Sequence, residues 1–152
     1  MAVGKVVASY AANKVGHRVG DGECWTLAEN ALKNAHAKTS NDMMGADGVN
    51  SDADYVWGTP TTLANLTPGD IVQFNYYTVH VDAADGSWWE ETRGEPRHTA
   101  IVASVGTNGK VIVYEQNVPA GGAVKKTTLY FKNTDSVTVG GNWWFYKPIP
   151  KS

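Results

Sequence analysis

The chain is poor in cysteine: Cys24 is the only one in 152 residues. An internal disulfide is therefore excluded, and the fold must stand on packing alone. Long apolar runs are also missing, and none approaches the roughly 20 residues that a bilayer-spanning helix needs. The start, Met1 to Ser9, lacks the extended apolar core of a secretory signal, so a cytoplasmic location is expected unless export needs no signal. Neither sign of charge dominates. Lys and Arg number 13 against 15 Asp and Glu, a net charge of −2, which gives no electrostatic reason to expect nucleic acid or an anionic membrane as partner. Repeats, low-complexity segments and linkers are absent as well, so residues 1–152 read as one domain, long enough to bury a core.

What is abundant is glycine and aromatic surface: 16 glycines, seven tyrosines and six tryptophans suggest a fold rich in strands and loops. Over residues 2–15, Val3, Val6, Val7, Tyr10, Ala11 and Val15 recur at spacings of three and four, which predicts a short amphipathic helix. Gly16 would end it, and Gly20 and Gly22 allow a tight turn. A second helix is predicted from Cys24 to His36 or Ala37, with Leu27, Ala28, Ala31 and Leu32 on one face. Residues 38–53 and 82–97 read as loops, and Tyr55 to Gly58 as a short extended piece. Thr67-Pro68-Gly69-Asp70 is a turn signal before the strand Ile71 to Phe74. Further strands are predicted over 99–105, 110–114, 127–131 and 143–147, the first two joined through Asn108-Gly109. Helices followed by a run of antiparallel strands make an α+β fold.

The residues that carry chemistry centre on Cys24. A thiol at a helix N-terminus meets unpaired backbone N–H groups and the positive end of the helix dipole, and both favour the thiolate, which is the nucleophile. His98 stands at the head of a strand, and Glu115-Gln116-Asn117 ends the next one. A hairpin through Asn108-Gly109 would return Glu115 to Asn117 to the vicinity of His98. Glu115 and Asn117 are two apart and share a strand face. Either would accept a ring N–H of His98. Glu115 is the preferred orienter because a carboxylate also stabilises an imidazolium, with Asn117 as orienter or oxyanion donor in the other arrangement. The expectation is a cysteine-dependent amide or peptide hydrolase with Cys24 as nucleophile, His98 as base and no metal or organic cofactor.

Four segments carry a resemblance: Gly22-Glu23-Cys24-Trp25, Leu66 to Phe74, His98-Thr99-Ala100-Ile101-Val102 and Val113 to Asn117. The closing Trp144 to Pro148 adds to them. Together the chain resembles the CHAP group (cysteine, histidine-dependent amidohydrolase/peptidase) of the papain-like, NlpC/P60-related superfamily. The resemblance implies N-terminal helices packed on an antiparallel sheet, a Cys24–His98–Glu115 triad with Asn117 as a fourth member, and a peptide or peptidoglycan-type substrate. One departure is the glutamine that papain-like enzymes often place shortly before the cysteine. Here Asn13 is only a remote substitute, and backbone N–H groups would carry the oxyanion.

Two other readings compete. His80 and Asp82 share a strand face and, with His98, would make a weak zinc set. Alternatively, the chain is a catalytically silent CHAP-like interaction module using an aromatic cleft. In either the enzyme or the module, Trp25, Trp57, Trp88 and Trp89 are the predicted substrate- or ligand-binding aromatics. Trp143 and Trp144 must face opposite sides of a strand, which assigns at least one of them to the core.

Overall fold

The computed structural model describes residues 2–45, 47–50 and 53–151. Helix α1 (Val3–Asn13), helix α2 (Cys24–Asn34) and the short helix α3 (Ser40–Met44) precede the strands β1 (Thr59–Thr61), β2 (Ile71–Asp82), β3 (Trp88–Val105), β4 (Lys110–Glu115), β5 (Lys125–Tyr130) and β6 (Val137–Lys147). The strands form one six-stranded antiparallel sheet in the order β1-β6-β2-β3-β4-β5. The fold is mixed α/β with few helices, and no helix among the described residues is long and apolar enough to cross a membrane.

Strand alternation sends neighbouring residues into two cores. Ile71, Ile101, Tyr114 and Tyr146 meet Val7, Ala11, Leu27, Ala28, Ala31 and Leu32 of the helices. Val72, Phe74, Val102, Val113, Leu129, Phe131 and Phe145 gather in the other cluster. Each fully buried side chain of this size contributes about 1.5–3 kcal/mol, so burial on both faces fixes the register of the central strands. Ala28 and Ala31 let α2 lie close to its neighbours.

Three predicted features differ. The loop over 38–53 contains α3, which begins with a capping box: Thr39 Oγ1 accepts from Asp42 N, and Asp42 accepts from Thr39 N. Ala46, Ser51 and Asp52 of that loop lie outside the described residues. The extended piece at 55–58 is irregular, and the strand starts after it at Thr59. The loop over 82–97 is mostly strand. β2 and β3 form a long arm, with Asp82 opposite Trp88 and Tyr77 opposite Arg93, interrupted by a bulge at Tyr76 (φ 50°). Charged residues on an exposed arm need no apolar alternation, which is why the pattern was invisible.

The Pro-Gly turn sets the start of β2. Gly69 N–H donates to Val102 O and Val102 N–H to Asp70 O, while Asp70 accepts from Thr67 N and from Lys147 Nζ at 2.9 Å each. Gly69 has φ 92°, and a Cβ there would collide with the Gly4 carbonyl. Gly69→Ala is expected to lose about 2–3 kcal/mol, from a strained φ and the forced shift of α1. Urea unfolding measures this directly, and a midpoint equal to wild type would disprove it.

Candidate functional site

Helix α2 starts at Cys24 with no side-chain cap on its Ncap residue, Glu23. The turn before it is held from two directions. Asp21 Oδ1 accepts from Glu23 N at 3.1 Å and from Thr26 Oγ1 at 2.5 Å. Gln116, fully buried, accepts from Val19 N at 2.8 Å and donates to Val19 O at 3.1 Å and Glu23 O at 2.7 Å. This clamp fastens the turn carrying Cys24 to the end of β4. Gln116 stood in the predicted polar triplet without a role; its alternation away from Glu115 was the signal that it faces the other way.

The hairpin at Asn108 (φ 55°) and Gly109 (φ 80°) aligns β4 with β3, pairing Ile101 with Tyr114 and Val102 with Val113. Continued along the strands, that register brings Glu115 beside His98. The His98 Nε2 lies 2.9 Å from Glu115 Oε1, and the ring packs on Phe74 with centroids 5.6 Å apart. The other ring nitrogen is left for the half-buried Cys24, close enough that His98, with the backbone N–H groups of Thr99 and Trp25, favours its thiolate form. Cys24, His98 and Glu115 therefore meet. Asn117 does not join them: its Oδ1 accepts from Gly121 N at 2.7 Å, and its Nδ2 points to Glu23 Oε2 at 3.4 Å. Asn13 lies elsewhere, on a cavity at the end of α1.

Behind Glu115 stands Arg93, a residue the sequence reading left in a loop. Its Nε and Nη2 donate to the two oxygens of Glu115, each at 2.8 Å, and its Nη1 donates to Glu91 Oε2 and Thr92 O, also at 2.8 Å. Arg93 is 2% exposed and Glu115 fully buried. The hydrogen-bonded chain Glu91–Arg93–Glu115–His98 thus runs from the strand arm toward Cys24 at the helix N-terminus.

The charges follow from this packing. Burial pushes the Cys24 thiol up, but the hydrogen bond and positive charge of His98 outweigh it, and the thiol ends below its ordinary value. Burial pushes His98 down, yet Cys24 and Glu115 raise it to about 9. Burial likewise opposes the Glu115 carboxylate, but His98 and Arg93 hold it far below the usual range. The arrangement favours thiolate on Cys24 and imidazolium on His98 relative to the free groups.

The predicted aromatics scatter. Trp57 is fully buried, donating Nε1–H to Gln73 Oε1 at 2.8 Å, and belongs to the core instead of a cleft. Trp25 donates to Ser40 Oγ at 2.8 Å and packs on Tyr55; Ser40 Oγ in turn donates to the buried Glu29 at 2.5 Å. Trp88 and Trp89 sit at the far end of the arm, opposite Asp82 and Val81, whereas His98 is opposite Phe74. At about 3.3 Å per residue they stand roughly 25 Å from His98, so they form no wall of this site. Trp143 packs edge-on against Tyr77 and Phe131, while Trp144 is exposed. The zinc set also fails: His80 meets Asp82 and Glu90 through different ring nitrogens, His98 is engaged elsewhere, and no cluster among the described residues could hold a metal.

Two measurements test these charges. His98 holds a proton that the unfolded chain releases near 6.5, so it contributes stability below that pH that is lost as pH rises to about 9. Cys24 releases a proton that the unfolded chain keeps until near 9.0, so its contribution has the opposite slope. The two contributions oppose each other, and reactivity reads the pair more directly. Iodoacetamide should alkylate Cys24 of the folded protein readily near neutral pH, and His98→Gln should slow this about tenfold or more; equal rates would refute the pairing. Arg93→Met leaves Glu115 half-paired and should cost about 3–5 kcal/mol in chemical denaturation, against less than about 1 kcal/mol for the partly exposed Glu91→Gln. Because the Glu115 pKa is depressed, its contribution is present above about pH 4.5 and lost as pH falls.

The whole chain, residues 1–152, matches the family model described as the AIM3/BBC1 cysteine proteinase-fold domain. It is 36% identical over 157 residues to the protein named "Altered inheritance of mitochondria protein 3" from Debaryomyces hansenii; the match covers 97% of this chain and 16% of that protein. The chain thus spans about a sixth of the relative's length. No solved structure matches. These findings correct the expectation of a peptide- or peptidoglycan-cleaving amide hydrolase: the relative is named for the inheritance of mitochondria and not for peptidase activity. They also replace the CHAP and NlpC/P60 resemblance with a coarser assignment to a cysteine-proteinase fold. The chain belongs to the AIM3/BBC1 cysteine proteinase-fold domain family.

Proposed function

We propose that this domain is an interaction module, silent toward peptide bonds, that forms one unit of a longer protein. The observation that carries the reading is the aromatic arm of β2 and β3. Trp88 is 60% exposed and Trp89 37%, both at the far end of the arm from His98. Exposed tryptophans offer large, rigid contact area at small entropic cost, and they are enriched where proteins dock. The binding surface is then an arm and not the aromatic cleft expected from sequence.

In this reading the Cys24–His98–Glu115–Arg93 chain is a joint. It ties the first turn of α2 to β3 and β4 through buried, mutually satisfied charges, and it presents the arm at a fixed angle. The partner is a protein surface, and no metal or organic cofactor takes part. The relative's name suggests that the longer protein acts in the inheritance of mitochondria.

The test compares immobilised wild type, Trp88→Ala/Trp89→Ala and Cys24→Ser in quantitative capture from a Debaryomyces hansenii extract. A parallel incubation with a peptide library is read by mass spectrometry. Partners should be shared by wild type and Cys24→Ser, depleted about tenfold by the tryptophan variant, and no library peptide should be cut. Cleavage that depends on Cys24, or capture indifferent to the tryptophans, would overturn the proposal.

A further inference from the structure

On the face where α1 ends, a recess of about 430 Å³ gathers Lys14, His17 and Arg18 with the carboxamides of Asn13 and Asn30 over the ring of Tyr10. No carboxylate lines it. The donors are largely unspent. Among the described residues, no side-chain hydrogen bond or ion pair within the protein engages Lys14, His17, Asn13 or Asn30. Lys14 Nζ lies 5.3 Å from the Tyr10 centroid, and Arg18 makes a single long contact, 3.4 Å, to Asp21 O. The nearby Asp21 is committed to Glu23 N and Thr26 Oγ1.

The backbone beneath these donors is fixed. Gly16 N donates to Val124 O at 2.8 Å, Val124 N donates to His17 O at 2.9 Å, and Val19 is held by Gln116. Segment 14–19 is therefore fastened to the chain just before β5 and to the end of β4, which fixes the backbone from which the cations project.

We infer that this recess binds a phosphate monoester carried on a peptide, a phosphoserine or phosphothreonine of a partner protein. A monoester near neutral pH carries close to two negative charges and three acceptor oxygens. Lys14 and Arg18 supply two positive charges, and the histidine and carboxamides supply further donors. The Tyr10 ring and the volume leave room for the residue bearing the phosphate. A peptide suits the site better than a membrane headgroup, because the chain carries a net charge of −2 and presents a recess, not a flat basic face. The inference rests on the interaction-module reading and names a second contact for it, separate from the tryptophan arm.

The experiment titrates the protein with a degenerate peptide carrying a central phosphoserine, its unphosphorylated counterpart, inorganic phosphate, and phosphatidylcholine vesicles containing a phosphatidylinositol phosphate. Amide shifts of Lys14 to Val19 and the side-chain signals of Asn13 and Asn30 report the site. Expected are binding of the phosphopeptide alone of the two peptides, competition by inorganic phosphate, and about tenfold or greater weakening in Lys14→Glu/Arg18→Glu with an unchanged melting temperature. Equal affinity for both peptides, indifference to the double variant, or binding to vesicles only would overturn the inference. Peptide cleavage by Cys24 would end the interaction reading but leave these titrations measurable, so the two failures are distinguishable.

Discussion

A carboxylate with no access to water governs this structure. Glu115 is fully buried, and an isolated charge in such a place would neutralise or unfold its surroundings. It stays ionised because Arg93 takes both its oxygens in a bidentate fork while His98 meets one of them. Three strand segments, at Arg93, His98 and Glu115, must therefore keep their register, since slipping any of them by one residue would turn a partner away. The same demand reaches the helix. His98 favours the thiolate form of Cys24, and Gln116, the next residue along from Glu115, fastens the turn before it. One buried charge thus accounts for how α2 is seated on the sheet.

Keeping that geometry and cutting peptides are separate properties. A fold supplies a scaffold, and its function lives in the sites placed on it. Here sulfur, imidazole and carboxylate are assembled, while Trp88 and Trp89 are exposed at the far end of the arm. The chain belongs to a family of cysteine-proteinase-fold domains and spans about a sixth of a relative that is named for mitochondrial inheritance. The buried chain from Glu91 to Cys24 then makes sense as architecture: it joins the arm that carries Trp88 to the helical layer.

Legibility in the sequence divided along a physical line. Cys24, His98 and Glu115 were readable because each sits at an element boundary with a local signature: a glycine-rich turn before a helix, a polar residue heading an apolar strand, a polar group after an Asn-Gly hairpin. Arg93 was not, because it lies on an arm whose outward residues are charged and whose inward ones are short of apolar alternation. Trp57 and Trp88 show the same limit from the other direction. Two identical side chains became a core residue and an exposed platform, and nothing adjacent in the chain distinguishes them.

The chain by itself determined that helices come first and strands after, that no disulfide takes part, and that a thiol opens α2, since these depend on periodicity, turn chemistry and residue counts within a few positions. Only the tertiary structure decided that Arg93 stands behind Glu115, that Asn117 bonds Gly121 and Glu23 instead of His98, and that Trp88 and Trp89 stand far along the arm from His98. The reason is range: alternation tells which face a residue takes, whereas the partner across that face is set by the register of strands far apart along the polymer.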